Sequence, residues 1–335
     1  MSVYFKTGIK GSETCFDYII IGAGSAGSAL AGRLAENTKL RILLLEAGPK
    51  DYHPYLKIPI GYGRVFFDDR FNWKFTTEPE PQMYGSQMYW PRGKVLGGSS
   101  AINAMVFVRG HQRDFDEWGI SASGWSWANV EPYFRKMEHW QGNKNQNRGL
   151  FGPLSISNVS NKVHPLTQRY LEAAQQIGFK LNDDYNSGDL EGAFIYQITT
   201  SNGVRVSSAT AYLKKFGRTK HLKILTQAQA TKILFDDQRA VGVEYVHKGT
   251  VRRAKAEAEV ILSAGALLSP QLLQVSGIGP EKLLKAHGVE VLIDSPNVGR
   301  NLSDHLGLDH TLRVNEPSLN QTLRPLHGKL AVALE

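Results

Sequence analysis

The chain has a single cysteine, Cys15, in 335 residues. A lone thiol excludes an intrachain disulfide and any zinc site built on cysteines. No apolar run reaches the roughly 18 residues a helix needs to span a bilayer, so no transmembrane segment is expected. Met1 to Thr14 lacks the apolar core of a secretory signal. It also lacks an arginine-rich transit pattern, although Lys6 and Lys10 without early acids keep a mitochondrial address open beside a cytoplasmic one. The sequons beginning at Asn158, Asn301 and Asn320 therefore carry little weight. The net charge is +8, with a pI near 9.4. The lysines and arginines are scattered, with no basic helix or aromatic platform, so nucleic acid is not an expected partner. A basic surface around an anionic small molecule, or a mitochondrial setting, accounts for the balance as well. A hydrophobic share of 41% and a charged share of 21% are those of a globular protein. The length allows one large or two ordinary domains.

Against these absences stands one dense stretch. Tyr18 to Ile21 is a short, β-rich apolar run, as a strand buried on both faces should be. Gly22-Ala23-Gly24-Ser25-Ala26-Gly27 follows, then an alanine-rich helix, then Leu40 to Leu45 and Glu46-Ala47-Gly48. Gly22 permits a tight turn, Gly24 lets the backbone approach a pyrophosphate, and Gly27 lets the helix pack close to the strand. The helix N-terminus offers N–H groups and a positive dipole end to phosphates. Glu46, 19 residues after Gly27, stands where a carboxylate holds a ribose hydroxyl. The fingerprint predicts a dinucleotide and leaves NAD, NADP and FAD open, though an acid at position 46 disfavours a 2′-phosphate.

A second informative stretch runs from Trp90 to Met105: Arg92-Gly93-Lys94-Val95-Leu96-Gly97-Gly98-Ser99-Ser100-Ala101-Ile102-Asn103. Two basic residues precede a double glycine, then serines that can cap a helix, with Asn103 inside its first turn. Such a nest suits a pyrophosphate, or the pyrimidine edge of a flavin, which gains negative charge on reduction.

Taken together, these two motifs, with Ser263 to Pro280 and Pro296 to His305, resemble the glucose–methanol–choline (GMC) family of FAD-dependent alcohol oxidoreductases. Arg109-Gly110 and Asp114 to Trp118 resemble the branch that includes choline dehydrogenase and the insect glucose dehydrogenases. The resemblance implies a mixed α/β fold: a Rossmann-like FAD-binding domain of three layers with part of an antiparallel-sheet substrate domain. It implies a first part of the cofactor domain over 14–150, substrate-domain and connecting segments over 151–215, the cofactor domain again over 216–305, and the start of further substrate domain over 306–335. Gly203 to Tyr212 resembles the segment that returns the chain to the cofactor domain. Cofactor contacts are implied at Gly22, Gly24, Ser25, Ala26, Gly27, Glu46 and Ala47, and at Arg92, Val95, Gly97, Gly98, Ser99, Asn103, Ala104, Met105 and Val106. Ala230, whose backbone would border the adenine, and Ala264 complete the set.

Between the motifs, spacing predicts a helix from Trp125-Ser126-Trp127 to Trp140 and another over His164 to Gly178 with Leu166, Tyr170, Ala173, Ala174 and Ile177 on its apolar face. Phe71 to Phe75 is expected to pack over the core or near a ligand, and Gln87 to Trp90 to be a short strand ending at Pro91. Asp183 to Gly188 lacks the ligand spacing of a calcium loop and is expected to be a solvated loop. Strands are expected at 222–226, 230–235, 251–254 and 259–262, with a hairpin over 240–247, then a helix capped by Ser269 with Pro270 at its first position.

The implied reaction moves a hydride from an alcohol carbon to the flavin while a base takes the hydroxyl proton. In the family that base is a histidine in a C-terminal segment, and none of the ten histidines here falls at the matching position. His305, beside Asp304, is read as structural. No catalytic residue is assigned, and this chain alone is expected to be inactive; a catalytically inert flavin-binding fragment is the competing reading. Ile102 stands where some relatives tether FAD through histidine, so non-covalent FAD is expected. The partners expected are a small-molecule alcohol and an electron acceptor, quinone or oxygen.

Overall fold

Aliphatic stretches with no polar face are satisfied only in a sheet covered on both sides, and Ile19, Ile20 and Ile42 to Leu44 are fully buried. The computed structural model describes residues 14–216, 219–305, 307 and 309–323. Residues 1–13, which bear on the targeting signals, and part of 306–335, His327 included, lie outside the described residues. The chain forms two units, one from Met1–Lys50 with Lys215–Ser303, the other from Asp51–Lys214 with Asp304–Glu335.

The first unit is built on one six-stranded sheet. Its strands are β1 (Thr14–Ile21), β2 (Ile42–Leu45), β3 (Leu222–Leu225), β4 (Ala228–Asp236), β5 (Arg239–His247) and β6 (Thr250–Leu262), in the order β4-β5-β6-β1-β2-β3. β6, β1, β2 and β3 run parallel, while β4, β5 and β6 form an antiparallel meander. Register brings the carboxyl ends level: Ile21 pairs with Leu45 and Leu262, and Leu45 with Leu225. Helix α1 (Ser25–Leu34) makes the crossover from β1 to β2. The fold is mixed α/β with a parallel-sheet core.

Three sequence expectations change here. The hairpin expected over 240–247 is the single strand β5, paired on one side with β4 and on the other with β6. The separate strands expected at 251–254 and 259–262 are one strand of 13 residues. Ala254 and Ala256 face the core while Lys255 and Glu257 face solvent, so the charges that look like a break are the outward positions of one pleat. The helix after it, α2 (Gly265–Val275), starts a turn earlier than expected, at Gly265 with φ +86°. Ser269 is therefore no cap and Pro270 is an interior residue, unable to donate to the Ala266 carbonyl. The small residues after Leu262 turn the chain at once, which removes the loop that a later start would need.

The second unit carries helices Gln112–Ser121, Trp127–Met137 and Pro165–Gln176, and only two-stranded ladders among its described residues. One ladder pairs Phe75–Thr76 with Tyr89–Trp90, in keeping with the short strand expected before Pro91. Phe71 packs with Leu56, Val65, Val95, Ala101 and Ile102. The helix expected to reach Trp140 stops at Met137, and Glu138–Trp140 leaves as a strand paired with Leu154–Ile156. In Pro165–Gln176 the buried side chain is Leu171, whereas Tyr170 and Ile177 are exposed, so packing chose a face one residue away from the expected one.

Glu138 explains the early end of that helix. Its fully buried carboxylate accepts from Arg109 Nη2 at 2.5 Å, from Arg148 Nη2 at 2.5 Å and from the Gly149 N–H at 2.9 Å. Arg148 also reaches Asp184 at 2.5 Å and lies over the Trp140 ring at 3.9 Å. Asp184 thus belongs to a buried charge network, and the loop expected at 183–188 forms but is solvated only in part, exposed at Asp183 and Gly188 and buried at Tyr185 and Asn186. Among the described residues no helix is long and apolar enough to cross a membrane.

Candidate cofactor site

Ligands of open α/β sheets sit outside the carboxyl ends of the parallel strands, and the first glycine motif lies at that edge of the first unit. Gly22 has φ +97°, and a Cβ there would fall 2.5 Å from the Ser263 carbonyl oxygen. Gly27 is helical, and its Cβ would fall 1.9 Å from the Gly22 oxygen. Both glycines are therefore demanded by the chain's own packing. Gly24 differs: it is the N-cap of α1 at φ −76° and ψ −157°, a conformation other residues adopt. Gly24 has no side chain to cap the helix, and the first turn itself carries no acidic residue; Ser25 and Ala26 are exposed there. The positive dipole end is thus not neutralised by an acid of its own first turn.

Glu46 is 5% exposed, and both of its oxygens accept backbone N–H groups: Oε2 from Ala23 at 3.0 Å and Oε1 from Gly48 at 2.9 Å. The carboxylate ties the glycine turn to the end of β2, and a carboxylate oxygen can accept from more than one donor. The Glu46 main chain bonds Leu225 O and Ala228 N, both at 2.8 Å, which brings the start of β4 beside it. Ala264 caps α2 against Gly22, and Ala230 lies two residues into β4 beyond Ala228, paired with Tyr245. Structure thus groups Gly22 to Gly27, Glu46, Ala47 and Ala264 at one sheet edge, with Ala230 on the adjoining strand.

The second motif belongs to the second unit. Gly97 and Gly98 have φ +97° and +54°, and Gly98–Ala101 is a single 3₁₀ turn. The serines do not cap a helix, as expected from sequence, because they are spent on the turn itself. Ser99 Oγ accepts from the Gly93 N–H at 3.1 Å; Ser100 Oγ donates to Gly97 O at 2.6 Å and accepts from the Ser208 N–H at 3.0 Å. Asn103 falls after the turn, and its Oδ1 accepts from the Met105 N–H at 3.1 Å and from Arg205 Nη1 at 2.8 Å. Val95 is a core side chain, and its carbonyl accepts from the Gly98 N–H at 2.7 Å. Ala104 and Val106 are exposed, Met105 is buried at φ +65°, and Val106 bridges Ile198. Arg92 Nη2 lies 3.8 Å from Asp304, joining this motif to the last one.

Arg205 escapes sequence reasoning, which reads 203–212 only as a connection. The available signal is a charge between Val204 and Val206 in a strand-like run. It is buried, its Nε and Nη2 have no partner among the described residues, and burial pushes its pKa down to about 10. An orphaned cation beside a turn of positive-φ glycines fits a site for an anionic or acceptor-rich ligand.

A model of the GMC oxidoreductase family matches residues 16–307. The chain belongs to the GMC oxidoreductase family. The chain is 42% identical to an alcohol dehydrogenase (acceptor) of Pseudomonas putida over 297 residues, 88% of this chain and 54% of the relative. It is 44% identical to an oxygen-dependent choline dehydrogenase of Brucella suis over 320 residues, 95% of this chain and 58% of the relative. Among solved structures, pyridoxine 4-oxidase from Mesorbium loti superposes with a TM-score of 0.83 at 35% identity, over 87% of this chain and 57% of that one. An FAD-dependent oxidoreductase from Chaetomium thermophilum gives 0.81 at 31% identity, over 86% and 52%. The chain spans just over half the length of the curated relatives it matches.

Proposed function

We propose that this chain is the FAD-holding part of a GMC flavoenzyme that oxidises the CH–OH group of a small alcohol. The observation that carries the reading is the glycine turn that opens α1 at the carboxyl edge of a parallel sheet, with the Glu46 carboxylate bonded to the Ala23 N–H of that turn. Gly24, Ser25 and Ala26 would present backbone N–H groups to the pyrophosphate, and Glu46 would accept from a ribose hydroxyl. Ala47, Ala230 and Ala264 would line the adenosine end with main chain. By its resemblance to the family's second motif, the stretch with Arg92, Val95, Gly97, Gly98, Ser99, Asn103, Ala104, Met105 and Val106 would contact a flavin. Bound FAD would supply the two-electron acceptor for the hydride of the alcohol carbon.

The cofactor is held without a covalent bond, in this reading. Ile102, at the position of the family's tethering histidine, is a core side chain packed with Leu56, Val65 and Phe71. We assign no base. His53, His111 and His164 each use Nδ1 to accept a backbone N–H at a helix start, His221 Nε2 lies 2.9 Å from Ala35 O, and His305 is exposed. Turnover by these 335 residues alone is not expected. The relatives named as acting on choline, alcohols or pyridoxine support a small alcohol as substrate, with quinone or oxygen as acceptor.

The test is spectral. Purified chain mixed with FAD and desalted should carry flavin absorbance that acid precipitation releases into the supernatant, and anaerobic alcohols should leave it unbleached. Colourless protein after desalting would overturn the reading; colour that stays with the precipitate would overturn non-covalent attachment.

A further inference from the structure

Two buried arginines in the second unit are provided for very differently. Arg148 has Glu138, Asp184 and the Gln197 carboxamide around its guanidinium. Arg205 donates only through Nη1, to Asn103 Oδ1 at 2.8 Å and Ser100 O at 3.3 Å, while Nε and Nη2 are buried without partners. A guanidinium kept for stability alone would be expected to be paired and fully bonded, because an uncompensated buried charge is destabilising.

The Asn103 bond also fixes which end of that carboxamide faces outward. Oδ1 accepts from Arg205 Nη1 and from the Met105 N–H, so a flipped amide would set its NH₂ against two donors. Nδ2 is thereby turned away from Arg205 with two N–H groups to give, on a residue that is partly exposed.

We infer that Arg205 is a positioning residue for the cofactor turn: through Asn103 it presents amide donors to an acceptor atom of the flavin, and its unpaired charge favours a ligand that is or becomes anionic. The inference rests on the FAD reading above. It predicts an unusual separation of stability from binding. Replacing Arg205 by methionine removes the orphaned charge and leaves Asn103 Oδ1 its Met105 partner, so the apoprotein should be at least as stable as wild type. The same change removes one of the two donors that hold the amide in its orientation and removes the charge, so FAD binding should weaken.

The experiment uses the 335-residue chain as wild type, R205M, R205K, N103D and the double variant R205M/N103D. It reads the thermal midpoint without FAD and the FAD dissociation constant by flavin fluorescence. N103D keeps the shape and the Arg205 contact but cannot donate. R205M and N103D should each bind FAD about tenfold more weakly. R205K should retain part of the affinity, and the double variant should be no weaker than the weaker single, because both changes act on one contact. The apo midpoint of R205M should not fall. Wild-type affinity in R205M, losses that multiply in the double variant, or a lowered R205M midpoint with unchanged affinity would each overturn the inference. If R205M does not fold, R205K and N103D decide it: wild-type affinity in both overturns it, and a loss in N103D with partial retention in R205K supports it. Wild-type chain that takes up no FAD overturns the reading of the site and this inference with it.

Discussion

The Cβ that Gly27 lacks would lie 1.9 Å from the carbonyl oxygen of Gly22. Both residues belong to the same fingerprint as Gly24, yet the three glycines are required for different reasons, and that difference can be measured. Gly27→Ala forces helix α1 off the turn and should lower stability by about 1–3 kcal/mol, as overpacking does. Gly24→Ala sits at φ −76° and should leave the apoprotein within about 1 kcal/mol of wild type. Its effect should appear in FAD affinity, if the glycine is there for a pyrophosphate. Urea unfolding of both variants beside an FAD titration of Gly24→Ala separates the two roles.

Glu46 carries a structural duty as well as a proposed ligand role. Glu46→Gln places an NH₂ against the N–H of Ala23 or Gly48 in a buried setting, which should destabilise the apoprotein by about 1–3 kcal/mol. Denaturant unfolding without FAD checks this, and an unchanged midpoint would show that the carboxylate does not tie the turn.

Glu138 should be among the most sensitive positions in the second unit. Glu138→Ala leaves Arg109 and Arg148 buried with their shared carboxylate gone, at an expected cost of about 3–5 kcal/mol. The thermal midpoint of the variant, against that of an exposed control such as Glu172→Ala, tests the network.

Tyr185 gives the fold an alkaline limit. Its hydroxyl donates to Phe107 O and accepts from the Gln197 N–H, each at 2.8 Å, and burial raises its pKa above the usual 10.0. Because the folded value lies above the unfolded one, this contribution is fully present below pH ~10 and is lost as pH rises through the folded pKa. Tyr185→Phe should lose about 1–3 kcal/mol at neutral pH by orphaning the Gln197 N–H. It should also show a shallower fall in stability above pH ~10. Denaturation midpoints from pH 7 to 11 measure both effects.

Much of the first unit is legible in the sequence, because local patterns there coincide with tertiary demands. An aliphatic strand, a glycine turn and a helix in sequence admit one right-handed crossover, and the level strand ends follow from register. The elements that sequence misreads are those whose pattern is satisfied from a distance. Lys255 and Glu257 look like a break in β6 because their outward placement depends on β1 and β5 on either side. Asp184 looks solvated because its counter-charge, Arg148, is 36 residues away. Ser99 and Ser100 look like helix caps, but Gly93 and Ser208 claim one of them each.

The sequence by itself determined the family, the parallel-sheet core and the dinucleotide turn, since those rest on contiguous residues whose backbone demands are local. Tertiary structure alone decided that Glu46 fastens the turn with both oxygens, that Glu138 holds two arginines, and that Arg205 stands buried with donors to spare behind Asn103. Hydrogen-bond satisfaction and desolvation of charge belong to groups brought together by folding, and contiguous sequence does not record them.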